Sequence, residues 1–254
     1  MPRLDDLFAA LGTGRRGSRE LQDALGVSQA TVSRLLAEAD ERIVRFGARR
    51  SARYAAARRL FSAGYAIPIF AIDDGGSARR IATLRGFGLR QFVVEGDDLL
   101  AWLRGDGDDG VYDDLPYFLD DLRPAGFLGR LLARTAGASL GLPEDARDWD
   151  AEALGCFLLA TGESMPGNLL LGDGAAARAG MWTAERVLSP EKEYPLLAAR
   201  VLAGETPGSS AAGEQPKFTA WREDAGHVLV KFSPAGRKPE ATLWRDLLYA
   251  EYHA

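Results

Sequence analysis

The sequence predicts an α+β protein: a small helical head closed by a two-stranded hairpin, then a larger body of mixed β-sheet and helix. Three observations carry that prediction. Two short amphipathic stretches joined by a glycine stand ahead of an arginine-rich strand–turn–strand. Beyond them, helix-period segments and period-two segments follow one another, ending in the paired stretches "KFTAWRE" and "HVLVKF". The charge is also split. Residues 1–60 hold 12 Arg against 7 Asp and Glu, a balance of +5, while the rest holds 19 Lys and Arg against 29 Asp and Glu, a balance of −10. A basic head on an acidic body directs the head, and only the head, toward an anionic partner.

Bulk composition excludes several classes. With 254 residues, 46% hydrophobic and 26% charged, the chain is globular material for one or two domains with a real core. It has no run of 18 apolar residues, and its first residues lack the basic-then-apolar order of a signal peptide. A cytoplasmic protein with no membrane partner is the expectation. One cysteine, Cys156 in the apolar run "LGCFLLA", excludes a disulfide framework and a multi-cysteine metal site, and reads as a buried, unreactive thiol. Histidine chemistry is poorly supplied by His227 and His253, and no protein metal site is expected.

In the head, Leu4, Leu7, Phe8 and Leu11 mark a supporting first helix. Ser18 is positioned to cap a second, with Glu20 near its positive end and Leu21, Ala24 and Leu25 as the apolar stripe. Gly26 suits the left-handed residue at that helix's end, and Val27 is the apolar turn residue. Ser28 then caps a third helix with Val32, Leu35 and Leu36 inside, which leaves Gln29, Thr31, Ser33 and Arg34 near its start as base or phosphate partners. The stretch "RIVRFGARRSARYAAARR" reads as strand, turn at Gly47, strand, a hairpin wing carrying Arg45, Arg49, Arg50 and Arg53. Together these elements spell a winged helix over residues 1–59, expected to bind double-stranded DNA. "LGVSQATVSRLL" resembles the bacterial winged helix-turn-helix regulators.

The next segment, 60–135, and the first part of the last, 136–254, read as scaffold. "YAIPIFAIDDGGSARRIATL" is a hairpin turning at Asp73–Gly76, and "RQFVVEGD" is a further strand. "LPYFLDDLRPAGFLGRLLARTAG" is helical with a break at Pro124, "WDAEALGCFLLATG" is a helix, and "MPGNLLLGDG" contains a short strand. A winged helix followed by "IDDGGS" is also similar to the sugar kinase-like repressors, whose acidic-glycine loop holds ATP phosphates. Those proteins add a cysteine-rich zinc motif that one cysteine cannot supply, and the spacing fits a plain β-turn better. The acidic patches around Asp106, Asp108 and Asp109 lack the glycine-centred ligand loop of a calcium site and read as solvated turns.

The last segment, 136–254, contains "GSSAAGEQPKFTA". Its glycine-bracketed start suggests a phosphate loop, but Glu214-Gln215 stand where a Walker motif needs Lys and Ser or Thr. A kinase holds phosphate differently, with a small-residue loop over it and a lysine on a later strand. "KFTAWRE", the turn "DAG" and "HVLVKF" form that pair of strands, with Val228 and Val230 on one face and Leu229 and Lys231 on the other. A lysine in an apolar strand needs a partner, and phosphate or a helix carboxylate would serve equally.

The run G-x-Q-P-K within "SSAAGEQPKFTA", with "LRPAGFLGR", "PGNLLLGD" and "LWRDLLYAEYHA", resembles the HipA-like serine/threonine kinases, toxins of bacterial toxin–antitoxin systems. The order of parts is similar to the subfamily with a fused DNA-binding domain. The resemblance implies ATP with Mg²⁺, held by Ala212, Gly213, Glu214, Gln215, Pro216 and Lys217 and by the strand lysine Lys231. It implies autophosphorylation at Ser210, with the neighbouring Ser209 as the alternative, which would place about −1.5 to −2 charges where ATP phosphates sit and so repel them. A homodimer and a protein substrate of the full-length kinase are the further partners it admits. Phosphoryl transfer also needs an aspartate and Mg²⁺ ligands. After Lys231 only Glu240, Asp246 and Glu251 are carboxylates, all in "PEATLWRDLLYAEYHA", which reads as one amphipathic helix to the end. No catalytic residue is therefore assigned. The expectation is a DNA-binding domain and N-terminal lobe without its catalytic lobe, inactive in phosphoryl transfer. The alternative is a winged-helix transcriptional regulator with a kinase-derived body for a ligand or partner.

Overall fold

The structure, a computed structural model, describes residues 2–47, 51–73, 76–97, 99–105, 109–165, 167–181, 186–203, 216–232 and 249–253. It is an α+β chain that divides into two compact units, Met1–Phe70 with Arg80–Tyr117, and Ala71–Arg79 with Phe118–Ala254.

The first unit begins with three helices, α1 (Leu4–Leu11), α2 (Ser18–Leu25) and α3 (Gln29–Ala39). They close on a core of Leu7, Leu11, Leu21, Val32 and Leu35, with Phe8, Val27 and Leu36 packed at its edge. Gly26 ends α2 in the left-handed region at φ 63°, a conformation that costs glycine nothing. Ser28 caps α3, its Oγ accepting the Thr31 N–H at 3.4 Å. The start of α2 departs from expectation by one residue. Gly17 is the cap position and the Glu20 carboxylate accepts its N–H at 2.5 Å, so Ser18 falls in the first turn. A glutamate three residues on can satisfy that donor without a serine, the second half of a capping box.

Strands β1 (Arg16–Gly17), β2 (Ile43–Phe46) and β3 (Arg53–Arg58) complete the head, with β3 central and antiparallel to both. One face of this sheet turns Ile43 and Tyr54 under the helices. The other turns Val44 and Ala55 toward Phe87 and Val93. Beyond the head come β4 (Ile67–Ile72), β5 (Ala78–Phe87), β6 (Gln91–Glu95) and β7 (Val111–Tyr112). The sheet runs on through β3–β5 pairing (Ala57 opposite Phe87), and β6 joins β5 to β7. The "IDDGGS" stretch is a tight turn in its described part: Ser77 N–H donates to Asp73 Oδ1 at 2.9 Å and Asp73 N–H to the Ser77 carbonyl at 3.0 Å.

In the second unit, α4 (Tyr117–Asp120) and α5 (Gly126–Ser139) flank the break at Pro124, and α6 (Ala151–Thr161) is capped by Asp150, which accepts the Ala153 N–H at 2.8 Å. Cys156 lies half-buried on α6, where burial and the nearby Glu152 and Asp150 push its thiol up, so it stays protonated. Then follow β8 (Leu169–Leu171), α7 (Gly172–Met181), β9 (Arg186–Val187), α8 (Pro190–Leu202), β10 (Lys217–Arg222), β11 (Gly226–Phe232) and β12 (Tyr249–His253). The last four strands form a sheet in the order β12-β11-β10-β9. Helix α8 covers one face through Tyr194, Leu197, Ala198 and Val201, against Phe218, Ala220, Val228, Val230 and Phe232.

Strand β12 corrects the sequence reading. Tyr249–His253 are not the end of a helix but an edge strand antiparallel to β11, with Lys231 opposite Ala250 and Phe232 opposite Tyr249. The outer side of β11 presents N–H and C=O groups that must be paired, and a short tyrosine-bearing segment satisfies them. The rest of the expected helix, 240–248, lies outside the described residues.

Candidate functional site

Two places in the fold gather the predicted site residues. In the head, the Ser28 cap sets α3 so that Ser28, Gln29, Ser33 and Arg34 are exposed while Val32 and Leu35 face the core. Thr31 is half-buried and engaged locally: its N–H donates to Ser28 Oγ, and its hydroxyl lies 3.2 Å from the same oxygen. Arg34 pairs with Glu38 one turn on, at 3.0 Å, with both side chains half exposed. Such a pair contributes about 0.3–0.5 kcal/mol, so an incoming phosphate can take the guanidinium at little cost.

The arginines expected on a wing divide. Cross-strand register sets Arg45 opposite Tyr54, and Arg53 opposite Phe46. Paired residues share a face and neighbours along a strand alternate, so Arg45 and Arg53 stand on opposite faces. Both are exposed, and Arg53 lies 3.8 Å from Glu20. Arg49 and Arg50 lie outside the described residues. The register adds a residue that sequence reading missed. Arg16 is opposite Tyr54 from the other side, so Arg16, Tyr54 and Arg45 form a row across three strands, with both arginines exposed. A two-residue strand has no periodicity, so nothing in the sequence could have shown this.

The second place is the face of the four-stranded sheet turned away from α8. Phe218 and Ala220 on β10 pair with Val230 and Val228 on β11, all in the core under α8. Their alternates, Lys217, Thr219 and Trp221, pair with Lys231, Leu229 and His227 on the other face. Leu229 and Lys231 thus sit where the alternation predicts. Lys217 and Lys231 are directly opposite each other, Lys217 fully buried and Lys231 half-buried. The Phe232 N–H donates to the Pro216 carbonyl at 3.0 Å, tying the entry of β10 to the end of β11. Like charges at paired positions disfavour each other and a buried ammonium needs compensation, and both lysines are engaged by further interactions within the fold. Ser210, Ala212, Gly213, Glu214 and Gln215 lie outside the described residues.

Among the described residues no cluster of His, Cys, Asp and Glu is placed to hold a metal ion, and no helix is long and apolar enough to cross a membrane. Asp109 accepts the Val111 N–H at 3.0 Å, a turn role, while Asp106 and Asp108 lie outside the described residues.

Residues 63–180 match the model of a family described as YjjJ-like toxin, middle domain. That segment includes neither the head nor β10 and β11. The chain is also similar to Toxin YjjJ of Escherichia coli (strain K12), 39% identical over 261 residues, which cover 98% of this chain and 55% of that protein. The chain therefore spans about half the length of the curated relative it matches. No solved structure matches.

Proposed function

From the similarity to Toxin YjjJ, we propose that this chain is the DNA-binding and nucleotide-holding part of a toxin organised like the HipA-like kinases, with a winged helix at its front. The observation that carries the DNA-binding reading is the start of α3, where the Ser28 cap leaves Gln29, Ser33 and Arg34 in solvent. Those side chains can donate to base edges and phosphates, and the exposed wing arginine Arg45 can reach the backbone. Fluorescence anisotropy of the whole chain on a labelled duplex, across a salt series, tests it. Binding should weaken steeply with salt, and Arg45→Ala should reduce the slope by about one phosphate contact. An absence of binding, or binding insensitive to salt, would sink the reading.

The nucleotide reading has its own support in the register of Lys217 opposite Lys231. These two ammoniums fit the phosphates of ATP, with Mg²⁺ arriving alongside the nucleotide. Residues 212–216 would close over the phosphates, and Ser210 phosphorylation would exclude them by charge. Bound ATP would supply a transferable phosphoryl group, and no residue of this chain is assigned to the transfer itself. The competing reading keeps the winged helix as a transcriptional regulator and makes the sheet a site for some other ligand or partner. It predicts DNA binding with no protection of the chain by ATP against thermal unfolding.

A further inference from the structure

We propose that the cavity between α5 and the segment 144–147 binds a small zwitterion, a molecule of the amino-acid or short-peptide class that carries one carboxylate and one ammonium. The cavity involves neither the head nor the terminal sheet, and all of its lining lies within one compact unit. Its volume of about 510 Å³ is in the range of small-molecule sites. Five charged residues line it: Arg130 and Arg134 from α5, and Glu144, Asp145 and Arg147 from the facing segment. Three of the five are committed to one another. Both Asp145 carboxylate oxygens accept from Arg147 Nε at 3.0 Å, the Arg147 backbone N–H donates at 2.9 Å, and Arg130 attracts the same carboxylate. Arg134 and Glu144 remain. They are opposite in charge and line the same cavity, yet neither has a hydrogen bond or an ion pair with any described residue.

The framework keeps these two charges on separate walls. Arg134 stands on a 14-residue helix, and the facing wall is fastened on both sides of Glu144. On one side the Trp149 indole N–H donates to the Pro143 carbonyl at 2.8 Å. On the other the Arg123 guanidinium donates to the Ala146 and Trp149 carbonyls at 2.7 and 2.8 Å. Trp149 is buried and packs on Phe157 of α6, so this wall is anchored in the core of its unit. A ligand with one charge of each sign completes both partnerships at once. A plain anion would meet Glu144 and a plain cation would meet Arg134, each with repulsion. Pro124, Ala125 and Ala146 give the same cavity apolar surface for a short carbon backbone.

The test is an NMR titration of the whole chain with glycine, diglycine and triglycine, which carry the same two end charges at growing separation. Acetate and methylammonium, with one charge each, are the controls. At least one of the three zwitterions should bind about tenfold more tightly than either control, the combined size of two solvent-exposed ion pairs, and should shift the signals of 144–147. Binding of glycine alone identifies a free amino acid, and a preference for diglycine or triglycine identifies a peptide. Arg134→Gln should lower the affinity to that of methylammonium, and Glu144→Gln to that of acetate. Neither substitution should change the ligand-free melting temperature, since neither side chain has a partner to lose. Four results would overturn the assignment. They are no binding by any of the three zwitterions, acetate binding as tightly as they do, affinity unchanged in both variants, or a lowered melting temperature in either variant.

Discussion

The head and the terminal sheet both set basic side chains side by side across strands, and they treat them in opposite ways. In the head, Arg16 and Arg45 flank Tyr54, and both guanidiniums are in water. In the terminal sheet, Lys217 and Lys231 stand opposite each other on adjacent strands, one buried and the other half-buried. An exposed arginine costs the fold almost nothing and acts through screened, additive attraction, so each is individually dispensable. A buried lysine is costly to the fold, and the loss of either member changes the site as a whole. Under the proposed function, the exposed row would track a polyanion and the lysine pair would grip one.

The largest effects should come from the apolar layers beneath these two surfaces. Phe218→Ala removes a ring that is fully buried between Tyr194 and Phe232 and should cost about 3–5 kcal/mol. Leu35→Ala in the head should cost about 2–5 kcal/mol. Urea unfolding followed by tryptophan fluorescence and by circular dichroism measures both. A loss below about 1 kcal/mol at either position would mean the corresponding core is misassigned.

Next come the two cationic surfaces, which should respond to crossed substitutions. Lys231→Met should abolish protection by ATP in a thermal shift and leave DNA affinity where it was. Arg45→Ala should do the reverse, lowering DNA affinity severalfold at physiological salt with ATP protection intact. If Lys231→Met also weakens DNA binding, the contrast between the two surfaces fails and the lysines belong to the DNA interface. A smaller effect attends Ser28→Ala, which deletes the cap of α3 and should cost about 1 kcal/mol in urea unfolding. Because the cap also sets the start of α3, the helix proposed to meet DNA, its loss should lower DNA affinity more than its stability cost alone would suggest.

The same contrast explains what could be read from the sequence. The head was legible because its determinants are local: Gly26 at a left-handed helix end, Ser28 as a cap and apolar residues at helix spacing all lie within a few residues of what they control. The turn at Asp73–Ser77 and the break at Pro124 were legible for the same reason. The alternation in "HVLVKF" gave the faces of β11 correctly, since period two follows from backbone geometry. Pairing across distance was not legible. Nothing local reveals that Arg16 pairs beside β3, or that Arg45 and Arg53 part to opposite faces. The segment "YAEYH" misled because tyrosine and alanine tolerate either state, and the open edge of β11 decides between them.

The smallest effects are electrostatic and sharpen the comparison between buried and exposed charge. Glu95 is paired with Arg85 at 3.6 Å, but burial outweighs the guanidinium and raises its carboxyl above the usual glutamate value. Asp145, in open solvent, is held down at about 2 by hydrogen bonds from the Arg147 side chain and backbone. The two should therefore titrate with opposite consequences. The folded chain binds the Glu95 proton more tightly than the unfolded chain does. That contribution is present below the ordinary glutamate value and is lost as pH rises through the raised one. The Asp145 contribution is present above 3.8 and is lost as pH falls toward 2. Glu95→Gln should thus gain stability relative to wild type as pH climbs from 4 toward 7, a trend that a urea series at each pH would detect. Arg147→Ala should move the Asp145 titration, followed by NMR, part of the way from about 2 toward 3.8, since the backbone N–H of residue 147 still donates, with a small loss of stability at neutral pH. If Glu95→Gln instead loses ground with rising pH, attraction to Arg85 outweighs burial there, and the pair behaves like the exposed one.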